Sequence, residues 1–153
     1  MNAPLVSVPD LTHRQKLERL QEHAANFPQV VCPIQNYFAP GIYAREMTIP
    51  AGTTVVGAVH KTENLAIISK GRLLVATPDG PREVAAPAVV RIFPGAKNAV
   101  TALEDSVFTN FFATTETDIE KLVPLLVEAN ASDLLGGENN LQLAANRAAA
   151  LEK

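Results

Sequence analysis

His60 stands among short apolar runs, with Glu63 and Asn64 just behind it and Tyr37 and Tyr43 upstream, and these side chains hold the clearest acid–base chemistry in the chain. A neutral imidazole takes up a proton near neutral pH and a phenol can return one, so His60 as base with Tyr43 or Tyr37 as acid is a coherent catalytic set. It would need a carboxylate to orient the ring, and Glu63, Glu104 and Asp105 are the acids on offer. The competing reading is a neutral histidine hydrogen-bonded to Asn64 or Asn98. His13 and His23 lie in a polar stretch and read as solvated side chains. Cys32 is the sole cysteine, so it closes no disulfide within the chain and completes no thiolate metal site; between Val31 and Pro33 it reads as a buried, inert thiol. Arg45-Glu46, Arg82-Glu83 and Glu104-Asp105 read as strand-face or turn charges, and Phe108, Phe111 and Phe112 as core packing. The glycines have turn spacing, without a phosphate-loop pattern.

These residues must be positioned by one domain with short extensions, since the chain has 153 residues. Lys plus Arg is 13 against 16 for Asp plus Glu, a net charge of −3, without the basic surplus that nucleic-acid binding draws on. Apolar types make up 47% and aromatics 5%, which calls for an aliphatic core. No apolar run approaches the roughly eighteen residues of a membrane span, and the N-terminus lacks a basic patch followed by an apolar stretch. The expectation is a protein without nucleic-acid or membrane partners.

Three zones follow. Residues 1–36 read as an N-terminal arm with one helix, because Thr12 and Gln15 have capping-box spacing, Leu17, Leu20, Ala24 and Phe27 recur at helical intervals, and Pro28 ends the pattern. Its face is narrow, so it should lie on a surface. From residue 37 to 115, β-branched and aliphatic runs alternate with Pro and Gly, which predicts strands at Ile42–Ile49, Thr53–Val59, Leu65–Ser69, Arg72–Ala76, Arg82–Ala85, Ala88–Phe93 and Ser106–Phe112. That density means a sandwich or small barrel, and the lack of crossover-length helices between strands excludes a parallel α/β sheet. Residues 116–153 read as a helical extension. Thr117 with Glu120 predicts a cap, Ile119, Leu122, Leu126 and Ala129 share a face, and Pro124 should kink or split the helix. Gly136-Gly137 breaks the chain, and Asn139 with Gln142 predicts a cap for an Ala-rich helix at Leu141–Leu151.

The stretch from Gly57 through His60, Glu63 and Asn64 to Gly71 resembles the first motif of the cupin family, in which two His alternate and a Glu precedes a closing Gly by seven positions. Pro94-Gly95-Ala-Lys-Asn98 resembles the second motif, whose turn is followed by a ligand His. The wording over roughly residues 28 to 120, from Phe38-Ala-Pro-Gly-Ile-Tyr through Ser69-Lys-Gly to Leu103-Glu-Asp-Ser, is also similar to small cupin-like proteins encoded by tailed bacteriophages. The resemblance implies a mainly β, double-stranded β-helix jelly-roll whose interior often holds a divalent metal. At the four ligand positions this chain has Ala58, His60, Asn64 and Asn98, and Ala and Asn are poor substitutes for imidazole and carboxylate around a transition metal. Glu63 is out of phase with the motif Glu. No metal and no other cofactor is therefore expected, and His60, Asn64 and Asn98 are the candidate ligand-binding cluster.

The leading functional expectation is a non-catalytic, structural or interaction protein, plausibly a virion component such as a capsid-decorating protein, self-associating and joining a larger protein assembly through both arms. It would be found in the virion or host cytoplasm if phage-encoded and in the cytoplasm otherwise. The alternatives are a small-molecule cupin enzyme, either metal-free and epimerase-like through His60, Tyr43 and Glu63 or metal-dependent, and a small-ligand binding module.

Overall fold

A computed structural model of the chain describes residues 11–129. Helix α1 spans His13–Ala24 and begins in a complete capping box: Thr12 Oγ1 accepts the Gln15 N–H and Gln15 Oε1 accepts the Thr12 N–H at 2.9 Å. Leu17 is its buried residue, while Leu20 and Phe27 of the expected apolar face remain exposed. One inward leucine is enough to seat a helix that lies on a surface.

Nine strands follow: β1 (Ile34–Ala39), β2 (Ile42–Ile49), β3 (Thr54–Val56), β4 (Asn64–Lys70), β5 (Arg72–Thr77), β6 (Gly80–Ala85), β7 (Ala88–Ile92), β8 (Ala99–Ala102) and β9 (Ser106–Ala113). They form two antiparallel sheets ordered β1-β2-β9-β4-β7 and β3-β8-β5-β6. β2 therefore neighbours β9, β3 neighbours β8, β4 neighbours β7 and β5 neighbours β6. The chain is one long antiparallel ribbon, folded at the β5–β6 hairpin and wound so that its four nested pairs alternate between sheets. That winding is a jelly-roll, the fold class the sequence motifs imply. Strands β1 and β8 were not anticipated. Gln35 and Asn36 hide the apolar pattern of β1, and the four residues of β8 are too few to show alternation.

Alternation on β2 turns Tyr43, Met47 and Ile49 inward. Two apolar clusters result. One holds Ile49, Ile68, Leu73 and Ala102, with Met47, Val75, Val90 and Phe108 packed against it. The other holds Tyr43, Phe112, Leu122, Val123, Leu126 and Val127. The last four belong to helix α2 (Ile119–Leu126) and its C-cap, so the expected face of Ile119, Leu122, Leu126 and Ala129 does pack, joined by Val123.

Two details of α2 correct the sequence reading. Asp118, not Thr117, is the N-cap, accepting the Glu120 N–H at 3.1 Å, because the Glu116 carboxylate already receives the N–H groups of Thr117 and Asp118. Pro124 does not split the helix, which runs on to Leu126. The donor Pro124 lacks would have met the Glu120 carbonyl at an exposed position, where water can serve instead. The Gly136-Gly137 break and the Leu141–Leu151 helix with its Asn139 and Gln142 cap lie outside the described residues.

Gly71 turns β4 into β5 with φ of +86°. A Cβ there would overlap Ser106 Oγ and come within 2.5 Å of the Asp105 carbonyl. Ser106 is fully buried, and its Oγ accepts the Arg72 N–H and donates to the Glu104 carbonyl, so it has no room to retreat. Gly71→Ala should destabilise the chain by roughly 3 kcal/mol or more. Gly80→Ala, at a positive φ with open space around it, should cost only about 1 kcal/mol, both read by urea denaturation.

Candidate functional site

His60 sits in the connection between β3 and β4, where main-chain bonds clamp it on both sides. Its N–H donates to the Ala96 carbonyl at 2.9 Å, its carbonyl accepts the Gly95 N–H at 2.7 Å, and it bridges to Val127 after α2. The ring reaches into the barrel. Its Nδ1 lies 3.1 Å from Asn64 Nδ2, and that same amide nitrogen donates to the Thr62 carbonyl at 3.2 Å. Asn64 Oδ1 accepts from Asn110 Nδ2 at 3.0 Å. A carbonyl on one side and an amide donor on the other leave only one orientation for the Asn64 carboxamide. Its nitrogen is therefore the donor to His60, Nδ1 is the acceptor, and the proton of the neutral ring rides on Nε2. Burial, aided by the positive charge of Arg45, lowers the His60 pKa from its ordinary value and keeps the ring neutral.

The imidazole also ends a run of near-parallel rings. Phe112 stacks on it at 6.1 Å, Tyr43 on Phe112 at 5.8 Å and Phe38 on Tyr43 at 5.0 Å. Phe112 thus stands between His60 and Tyr43, and the Tyr43 hydroxyl donates to Asn36 Oδ1. The other partners considered for catalysis lie elsewhere. Tyr37 alternates to the outer face of the five-stranded sheet. Glu63 is 3.4 Å from Arg91 in an exposed ion pair, and Asp105 accepts the Ala51 N–H at 2.9 Å. Glu104 is exposed in the same turn as Asp105. Among the described residues no carboxylate orients the His60 ring.

Of the cluster expected from sequence, His60 and Asn64 meet and Asn98 does not join them; Asn98 lends its main-chain carbonyl to the Gly57 N–H at 2.9 Å. Asn110 is the partner that sequence reasoning passed over. Its signal was present: it falls in phase with Phe108 and Phe112 on β9, so a polar residue shares the inward face. Arg45 needs a correction of the same kind, because it falls in phase with Tyr43 and Met47 and faces the interior, whereas Glu46 beside it faces out. Cys32 is half-buried and burial pushes its thiol pKa up, which makes it a poor nucleophile at neutral pH.

Helix α2 covers the barrel end at which His60 lies. Lys61 donates its N–H to the Leu126 carbonyl and Glu128 donates to the Val59 carbonyl, each at 2.8 Å, and Lys61 Nζ donates to the Pro124 carbonyl at 2.7 Å. Ala58, at a position where the cupin motif carries a ligand His, packs against the Leu122, Val123 and Leu126 cluster. The donor set does not fit a divalent ion. Ala58 has no lone pair, the Asn64 amide is engaged at both ends, and the acceptor nitrogen of His60 is taken. Among the described residues no group of three or more His, Cys, Asp or Glu side chains could hold a metal ion, and no helix is long and apolar enough to cross a membrane.

No protein-family profile and no curated protein matches the chain. Solved structures do resemble it. A cupin-2 domain containing protein from Shewanella frigidimarina shares 14% identity over 62% of this chain and 92% of its own, with a TM-score of 0.46. The Clostridium difficile EutQ protein shares 13% over 61% of this chain and 69% of its own, with a TM-score of 0.49. An HTH_3 family transcriptional regulator from Vibrio cholerae shares 18% over 56% of this chain, which spans about half, 52%, of the regulator's length, with a TM-score of 0.46. The strand order given above, independent of these likenesses, defines the fold.

Three outcomes test the site. Nitrogen-15 NMR of the native chain should show His60 as the Nε2–H tautomer. Asn64→Ala strands the Asn110 amide and should cost roughly 2–3 kcal/mol in urea denaturation, against about 0.5 kcal/mol or less for Asn98→Ala. Because the folded pKa of His60 lies below its unfolded value, its contribution to stability is complete above about pH 6.5 and is lost as pH falls through the window below it. The slope of stability against pH there should be shallower in His60→Gln.

Proposed function

We propose that this chain is a non-catalytic cupin-fold protein that acts as a structural or interaction module and associates with a second copy of itself. One observation carries the reading: the acceptor nitrogen of the only histidine in the barrel interior is held by Asn64, under a helix of the same chain. A base needs a free lone pair, and the Nδ1 lone pair of His60 is engaged in this arrangement. The metal-free epimerase-like alternative loses support for the same reason.

Support for self-association comes from the outer face of the five-stranded sheet. Register and alternation place Tyr37, Ala44, Phe111 and Leu65 in one row across it, ending at Arg91, with Thr109, Ile67 and Val89 in the next, after Gln35 and Glu46. Tyr37 is 52% exposed, Leu65 48% and Val89 67%, a concentration of apolar surface that a lone soluble domain seldom presents. Glu46 lies on β2 and Arg91, which also pairs with Glu63, on the edge strand β7, so a twofold axis running along the strands between β9 and β4 brings the Glu46 of one copy toward the partner's β7 edge. Five strands cover roughly 24 Å by about 17 Å. A face of that size supports a weak dimer. Service in a virion, the narrower form of this reading, rests on the similarity of wording to phage-encoded proteins.

Light scattering coupled to size-exclusion chromatography should show a dimer whose fraction rises with concentration, and the double variant Leu65→Glu, Val89→Glu should run as a monomer while keeping the native circular dichroism. A native chain that stays monomeric at millimolar concentration would overturn self-association through this face.

A further inference from the structure

Among the described residues Arg45 is the one arginine that strand phase turns into the barrel interior, and its guanidinium makes no hydrogen bond or ion pair with any of them. Arg14, Arg72 and Arg91, all well exposed, have carboxylate partners where pairing contributes least. At Arg45 the relation is reversed. It lies between the two apolar clusters, with Tyr43 on one side and Met47 on the other, and burial lowers its pKa from the ordinary value. The groups that act on its charge are the Tyr43 phenol and the Cys32 thiol, both of which burial keeps protonated at neutral pH. Its own neighbour Glu46 faces out, and Glu63 is tied to Arg91. A guanidinium held among protein groups without a counter-charge is among the costlier arrangements in a folded chain.

Its cross-strand neighbours are Asn36 on β1 and Asn110 on β9. Asn36, exposed at the rim beside Arg45, accepts from Tyr43 at its Oδ1, which leaves its amide N–H groups without an acceptor among the described residues and open to a solvent-borne one. Asn110 uses its amide nitrogen on Asn64, so both cross-strand neighbours offer the guanidinium neutral oxygens and neither offers a counter-charge. Arg45 keeps partial exposure, so solvent reaches it although α2 closes the His60 end. We propose that the barrel interior beside Arg45 binds a small oxyanion, a carboxylate or a phosphate, which the guanidinium grips through paired N–H groups while the Asn36 carboxamide donates a further hydrogen bond. This site is separate from the sheet face proposed for self-association and survives if that contact fails.

The test is thermal unfolding of the full chain with sodium succinate, inorganic phosphate, or sodium chloride at matched ionic strength. Succinate or phosphate should raise Tm in proportion to the logarithm of its concentration once that exceeds Kd, by about 5 °C at roughly ten times Kd, whereas chloride should not, and the effective anion identifies the ligand chemistry. Arg45→Met should abolish the response and unfold at a higher temperature than the ligand-free native chain, because an uncompensated charge is removed. Arg45→Lys should retain a weaker response. In case Arg45→Met does not fold, NMR of the native chain gives a second readout: the Arg45 Nε–H and the Asn36 and Asn110 side-chain amides should shift as the anion is added. A response equal to that in chloride, one that persists in Arg45→Met, or shifts confined to Arg14, Arg72 and Arg91 would overturn the proposal.

Discussion

The carboxamide of Asn64 is the joint on which the barrel interior turns. It sits at the start of β4 and points inward, where it touches a loop carbonyl, the His60 ring and the Asn110 amide together. Each contact constrains the next: the Thr62 carbonyl sets which end of the amide is nitrogen, the nitrogen sets the histidine tautomer, and the oxygen orients Asn110. Buried polar groups are tolerated when fully hydrogen-bonded and are costly otherwise. Among the described residues no fully buried side-chain nitrogen or oxygen lacks a partner. The same chain of bonds that makes the interior tolerable leaves its histidine chemically occupied.

Much of the fold was legible because a jelly-roll is built from local signals. Ile42–Ile49, rich in apolar residues between Gly41 and Pro50, formed a strand with those bounds, while Lys70-Gly71 marked a turn that glycine alone can make. Thr12 and Gln15 formed the cap their spacing predicts. The two strands that escaped notice lack such signals, and both are held by their neighbours: Ile34–Ala39 by β2 and Ala99–Ala102 by β3 and β5. Tertiary pairing there overrides weak propensity.

The candidate site was less legible, for a geometric reason. Motif spacing locates residues along one strand, and so His60 and Asn64 were found together. Asn110 comes from the other end of the ribbon and arrives beside Asn64 only through the β4–β9 register. Arg45 was misread as a surface charge because its type outweighed its phase; the flanking Tyr43, Met47 and Ile49 specify an inward face, and a charged residue on that rhythm faces inward too. Residue type is a prior on burial, and strand phase decides it.

Ala58 couples the barrel wall to its lid. Its methyl group abuts the cluster formed by Leu122, Val123 and Leu126, so the room that an imidazole would need there is already filled by helix α2. A larger side chain at this position would have to displace the helix, so the size of residue 58 and the seating of the lid are set together.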